Sequence, residues 1–339
     1  MIELRNDELV VSFPEVDRDA VLHVGFQRTL RIPDDGEAYP LPPGLGRFPL
    51  RHVDDFATRV PEEWHRHGGV LLPMYQAEAM WLHFSSPREY PFAVKVATGK
   101  ISAVTGEEWR EGLHSDPQDY LSVPAQPWLD GYVVEKGFIR QFVAMPLGAG
   151  YTAEEQVTGR AEHGGLQLLV YPLRREAWER VKREREARSR RYSIALEEPG
   201  RMLYCLEAAS PAMGLAPGGR MRQEIYEDSF RLADWDTAHG GRCFVHLANS
   251  LVWRAITGEA PPTVPPTAEE YTRAGLPWFE WYSEQPAVQG SGVLKGLKSV
   301  AQTGAGKGDV PLPENTSVQA QHVVPLGPGS RRLVREGRF

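Results

Sequence analysis

Asp130, Arg140, Gln141, Glu155 and Gln156 are the densest set of polar side chains in an otherwise strand-like stretch, QPWLDGYVVEKGFIRQFVAMPLGAGYTAEEQ. Carboxylate, guanidinium and amide groups in one cleft could hold a hydrogen-bonding ligand. The same groups turned toward each other would form an internal network that fixes strand, loop and helix. Burying the Arg140 charge without a partner is very costly, so an acid must lie close to it. Asp130 and Glu155 are the nearest candidates along the chain. Arg220 and Arg222 end a second polar segment, MGLAPGGRMRQ, whose backbone amides could cradle a phosphate. That segment lacks the Lys-Ser/Thr pair of a P-loop and the spacing of a dinucleotide fingerprint, so a tight glycine-rich surface turn over 214–219 is the plainer reading.

Other constellations fare less well. His239, Cys243 and His246 could suggest zinc, which needs closely converging ligands. If 243–246 is a strand, its odd spacing sends Cys243 and His246 to opposite faces. His65 and His67 would lie about 200° apart on a helix and could not grip one ion. Cys243 carries no nucleophile signature around it and reads as an inert core thiol. There is no G-x-S-x-G elbow for a serine nucleophile. Asp234 and Asp236 in ADWDT could serve a metal or acid–base pair, although an Asp-rich turn bonding its own backbone is commoner. No metal and no cofactor is expected.

The elements that position these residues read as short strands separated by turns. In FAVKVATGKISAVTG, Phe92, Val94 and Val96 alternate with Ala93 and Lys95, and TGK marks a hairpin tip. LDG and EKG mark turns on either side of YVV. Residues 138–144 mix polar and apolar side chains on both faces, which places that strand centrally or under cover. Thr152 with Glu155, and Thr267 with Glu270, have capping-box spacing and should open short helices. Asn249 or Ser250 should cap another helix ending at Gly258. The Arg174–Arg191 segment carries nine basic and four acidic residues on helix-favouring side chains and reads as a solvated linker. Val293, Leu294, Leu297 and Val300 suggest one short docking helix.

The chain has 339 residues, a net charge of −7, 33 glycines and 28 prolines. The glycine and proline content favours many turns, and the negative charge disfavours nucleic acid as a partner. No run reaches the ~18 apolar residues of a membrane helix, and the acidic N-terminus lacks a signal core. Two cysteines cannot make a disulfide framework, which is consistent with a soluble cytoplasmic protein.

As a set, QPWLDGYVVEKGFIRQFVAMPLGAGYT, PFAVKVATGKISAVTG and WRAITGEAPPTVPPTAEEYTRAGLPWF resemble a family of uncharacterised bacterial and fungal proteins, over most of residues 10–300. That resemblance implies no activity and no catalytic residues. Some members carry an integral-membrane label, which the hydropathy of this chain does not support.

The expected fold is therefore a β-rich α+β protein. A β-sandwich-like domain would span 1–175, a basic helix 176–191, a smaller mixed α/β domain 192–285, and a loosely packed tail 286–339. The leading functional expectation is a non-enzymatic binding or assembly module with a protein partner, and a homo-oligomer is compatible with it. Its interface would use Trp278, Phe279, Trp281 and Tyr282, since exposed aromatics commonly anchor interfaces. The alternatives are an enzyme with an interdomain cleft around Arg140, Gln141, Glu155 and the 214–222 loop, and a nucleic-acid-associated factor using the basic helix.

Overall fold

A computed structural model describes residues 1–189, 213–281, 283 and 285–326. The protein is β-rich, with 35% strand and 20% helix. Among the described residues, seventeen strands join in one connected, mainly antiparallel sheet, and two more form a small parallel sheet.

Two ladders matter most. In the first, Val21–Thr29 pairs with Ala79–Ser85, which pairs in turn with Trp128–Leu129 and with Phe138–Pro146. Phe138–Pro146 also lies between Gly131–Glu135 and Met213–Arg222. In the second, Phe92–Thr98 pairs with Leu166–Pro172, which pairs with Gly241–Ala248, which runs parallel to Val70–Pro73. The pairing crosses the boundary expected at 176–191, because strands 213–222 and 241–248 are built into ladders made by the first 175 residues. One core cluster likewise takes side chains from Leu9 to Leu297.

Alternation explains the inner face. Leu22, Val24 and Phe26 are fully buried while Val21, His23 and Gln27 between them are half-buried. Phe92–Thr98 is instead buried at every position. Its polar member, Lys95, is enclosed by the 107–119 segment: Nζ donates to the carbonyls of Arg110 (2.6 Å) and Gly112 (2.7 Å) and pairs with Asp119 at 2.8 Å. That satisfies every ammonium proton, as burial demands.

The 214–219 segment is no turn. Met213–Arg222 is a continuous strand, and its glycines permit close approach rather than reversal. A Cβ on Gly219 would stand 2.4 Å from the Pro33 carbonyl, and one on Gly218 would stand 2.4 Å from Val143 Cγ2. Gly131, read as a turn mark, is likewise in a strand.

The segment after 286 is docked over a long span. Ser291 N donates to Val133 O at 3.0 Å and Leu294 is fully buried. The single helix expected there is two, Gly292–Gly296 and Val300–Lys307, because Ser299 and Gln302 form a capping box that restarts the helix. Residues 327–339 lie outside the described residues. No helix among the described residues is long and apolar enough to cross a membrane.

Candidate functional site

Asp130 occupies the most unusual electrostatic position among the expected site residues. It follows the short strand Trp128–Leu129, whose register pairs Trp128 with His83 and Leu129 with Leu82. Alternation sends Leu129 and Leu82 into the core and leaves Trp128, Trp81 and His83 on the other face. One further step in that antiparallel register sets Asp130 beside Trp81.

Asp130 is 4% exposed. Its backbone N–H donates to Gln223 Oε1 at 3.0 Å, and Gln223 Nε2 donates back to the carboxylate at 2.7 Å. No cation among the described residues lies within ion-pair distance of it. Burial pushes the carboxyl up to about 7, and the Gln223 bond only partly opposes this.

Asp130 lines a cleft of about 310 Å³ whose other walls are Leu41, Pro42, Pro43, Gly44, Trp81, Trp128, Phe279 and Leu326. The backbone at Gly44 approaches the Trp81 ring closely, since a Cβ there would stand 3.3 Å from it. The Trp81 indole N–H is buried without a hydrogen-bond partner among the described residues.

A second cleft, of about 320 Å³, shares Leu41 and Trp128 with the first and is lined also by Phe138, Arg222, Gln223, Tyr226, Glu280 and Trp281. Trp128 and Trp281 meet edge to face at 5.0 Å, and the Trp281 indole donates to the Tyr226 hydroxyl at 2.7 Å. Asp130, Arg222, Phe279 and Trp281 are thus brought to one surface. Arg222 forms an exposed pair with Glu280 at 2.8 Å.

Trp278 does not join them. It is fully buried, because strand alternation turns it into the core while half-buried Phe279 and Trp281 border the clefts. Tyr282 lies outside the described residues.

The remaining expected residues sit elsewhere. Arg140 has Asp34 as its nearest acid, at 3.9 Å, in place of Asp130 or Glu155. Burial lowers its pKa, and Asp34 partly offsets that. Asp130 is taken by Gln223, and Glu155 is taken by its helix N-terminus: it accepts from Gly150 N (2.7 Å) and the Thr152 hydroxyl (2.7 Å). Gln141 is fully buried and clamps the neighbouring chain, accepting from Ile32 N at 2.9 Å and donating to Leu30 O at 2.8 Å. Gln156 makes the same two-sided bond with the backbone of Lys298. Arg220 lies opposite Arg140 in the ladder, paired with Glu135 and stacked 3.9 Å from the Phe138 ring centre.

Cys243 and His246 face opposite sides, as the spacing implies, yet both are buried because the strand is covered twice. Burial raises the thiol to about 12 and lowers His246 to about 4, the latter ring stacked on Trp64 at 4.8 Å. His239 pairs with Asp236 at 3.0 Å. Asp234 is held at about 2, chiefly by Arg231, with Arg180 assisting. Among the described residues no group of three or more His, Cys, Asp or Glu could hold a metal. Cys205 lies outside the described residues.

Two features of the structure have no counterpart in the motifs of the sequence. Glu154 accepts the N–H groups of Glu162, His163 and Gly164 at 2.8–3.0 Å. Trp81 and Leu41 line the Asp130 cleft; nothing local marks them, since their neighbours there come from segments far away in the chain.

The raised Asp130 pKa has a measurable consequence. An unfolded aspartate ionises near 3.9, whereas folded Asp130 keeps its proton to about pH 7. Unfolding between those values releases a proton, so this residue's contribution to stability falls as pH rises from about 4 to about 7 and is level above. Asp130→Asn removes that dependence. Urea unfolding across the window should show the variant gaining about 2–4 kcal/mol on the wild type, from a shift of about three units at 1.36 kcal/mol each. His246, shifted to about 4, is common to both proteins and cancels in the difference. Parallel stability curves would refute the assignment.

No protein family, no curated protein and no solved structure matches this chain.

Proposed function

We propose that this protein is a non-enzymatic binding module whose recognition surface is the double cleft that meets at Trp128. The observation that carries the reading is the convergence of Trp81, Trp128, Phe279 and Trp281 around two adjoining concavities of 310 and 320 Å³. Concave, mainly apolar sites with a few fixed polar groups are the usual form of ligand pockets. The groups an enzyme would need support this choice: Gln141 and Glu155 are committed to backbone and capping bonds, and neither they nor Arg140 line the clefts. The basic helix supports nucleic-acid binding poorly, because Arg180, Lys182 and Arg185 pair with Asp234, Glu179 and Glu89.

The test uses protein labelled with ¹⁵N at its tryptophan indoles and a panel of choline, indole, benzoate and 3,3-dimethylbutan-1-ol. Binding shifts the Trp81, Trp128 or Trp281 resonances, and Trp128→Ala weakens it about tenfold or more, the cost of losing a central aromatic contact. Failure of every probe to move those three indoles removes the proposal.

A further inference from the structure

We propose that the Asp130 cleft is a site for a small organic ammonium ligand that also carries a hydrogen-bond acceptor, of the amino-alcohol class. The inference rests on the binding-module reading and names what its first cleft holds.

Three independent features point to that chemistry. The cleft is walled by three large π systems, those of Trp81, Trp128 and Phe279. Aromatic rings attract cations through their quadrupole, most strongly for Trp and where water is excluded. The one acidic side chain in the lining is Asp130, nearly solvent-free, with Gln223 as its side-chain partner and no Arg, Lys or His among the described residues in ion-pair reach. At pH 8, above its raised pKa, Asp130 carries a charge that no cation among the described residues neutralises, and a ligand ammonium would neutralise it. Third, the Trp81 indole N–H is a buried donor with no acceptor among the described residues. Such groups are few in native proteins, and a ligand oxygen would satisfy it.

The alternatives fit less well. An anionic ligand would meet the Asp130 charge, and a purely apolar one would leave both Asp130 and the indole N–H as they are. A volume of about 310 Å³ accommodates a trimethylammonium head with a short chain.

Isothermal titration at pH 8 compares choline, its neutral isostere 3,3-dimethylbutan-1-ol, and tetramethylammonium. Choline binds at least tenfold more tightly than the neutral isostere. Asp130→Asn abolishes that preference, while Asp130→Glu keeps part of it. Trp81→Phe weakens choline severalfold more than it weakens tetramethylammonium, because choline loses the acceptor contact in addition to part of the cation–π attraction. The indole spectrum of each unliganded variant establishes that it is folded. Equal affinity for choline and the isostere, or a preference that survives Asp130→Asn, overturns the ammonium assignment. If the isostere, indole or benzoate moves the cleft indoles while choline does not, the ammonium assignment falls and the binding-module reading stands. If no probe moves them, both fall.

Discussion

Replacing Glu78 by alanine lowers the unfolding free energy by about 3–5 kcal/mol, the cost of stranding a buried cation. Glu78 and Arg28 have side chains 1% and 5% exposed, with Nη2 2.7 Å and Nε 2.8 Å from the same carboxylate oxygen. The second oxygen accepts Tyr75 N at 2.9 Å, and Arg28 also reaches the Thr263 carbonyl. Burial pushes the Glu78 carboxyl up, and Arg28 pulls it back. The pair therefore ties the 21–29 and 79–85 strands to the proline-rich 260–266 segment. Alanine leaves the guanidinium with the Thr263 carbonyl and, among the described residues, no acid within ion-pair distance. A double variant, Glu78→Leu with Arg28→Met, removes both charges and recovers much of the loss, since a buried ion pair is often no more stabilising than apolar residues of similar volume. Urea titration of the three proteins decides it. A loss under about 1 kcal/mol for Glu78→Ala would show that water or another acid compensates Arg28.

Gly131→Ala should be nearly as damaging and more local. A Cβ at this position would stand 1.9 Å from the Arg140 carbonyl oxygen and 2.9 Å from Gln141 Cα, all backbone atoms. No rotamer change relieves that contact, so the Gly131–Gln141 pairing must open. Overpacking of this kind costs about 3 kcal/mol. The opening also displaces Asp130, one residue before, from its Gln223 bonds. The expected result is a clearly lowered thermal midpoint together with shifted Trp81 and Trp128 indole resonances. An unchanged midpoint and spectrum would mean that the two strands are less closely apposed than the ladder implies.

Several local features were readable from a few neighbouring residues. The Thr152–Glu155 and Thr267–Glu270 capping boxes both form, Asn249 caps the helix that ends at Gly258, and the chain reverses at Gly99 between Phe92–Thr98 and Ile101–Ser102. Each depends on atoms within a few positions of each other, so the local chain carries the whole explanation. Glycine is the counterexample. Gly99 at φ +56° is a reversal, but Gly218 and Gly219 lie in a strand because distant backbone passes within reach of where a side chain would be. The letters are alike; the difference lies in what packs against them. The same holds for Trp278 and Phe279, adjacent and both aromatic, one in the core and one at a cleft edge.

Sequence alone determined the local grammar of this protein: β-rich character, helix starts, the central position of the 138–146 strand, and the need for Arg140 to have an acid nearby. The tertiary structure decided the partners. Asp34 rather than Asp130 stands nearest Arg140, and Asp130 is left instead in an aromatic cleft formed by segments near residues 41–44, 81, 128 and 279. Charge burial states that a partner must exist, but chain separation says nothing about which one, because contact across more than a hundred residues is set by strand register and by which side of each strand faces the core.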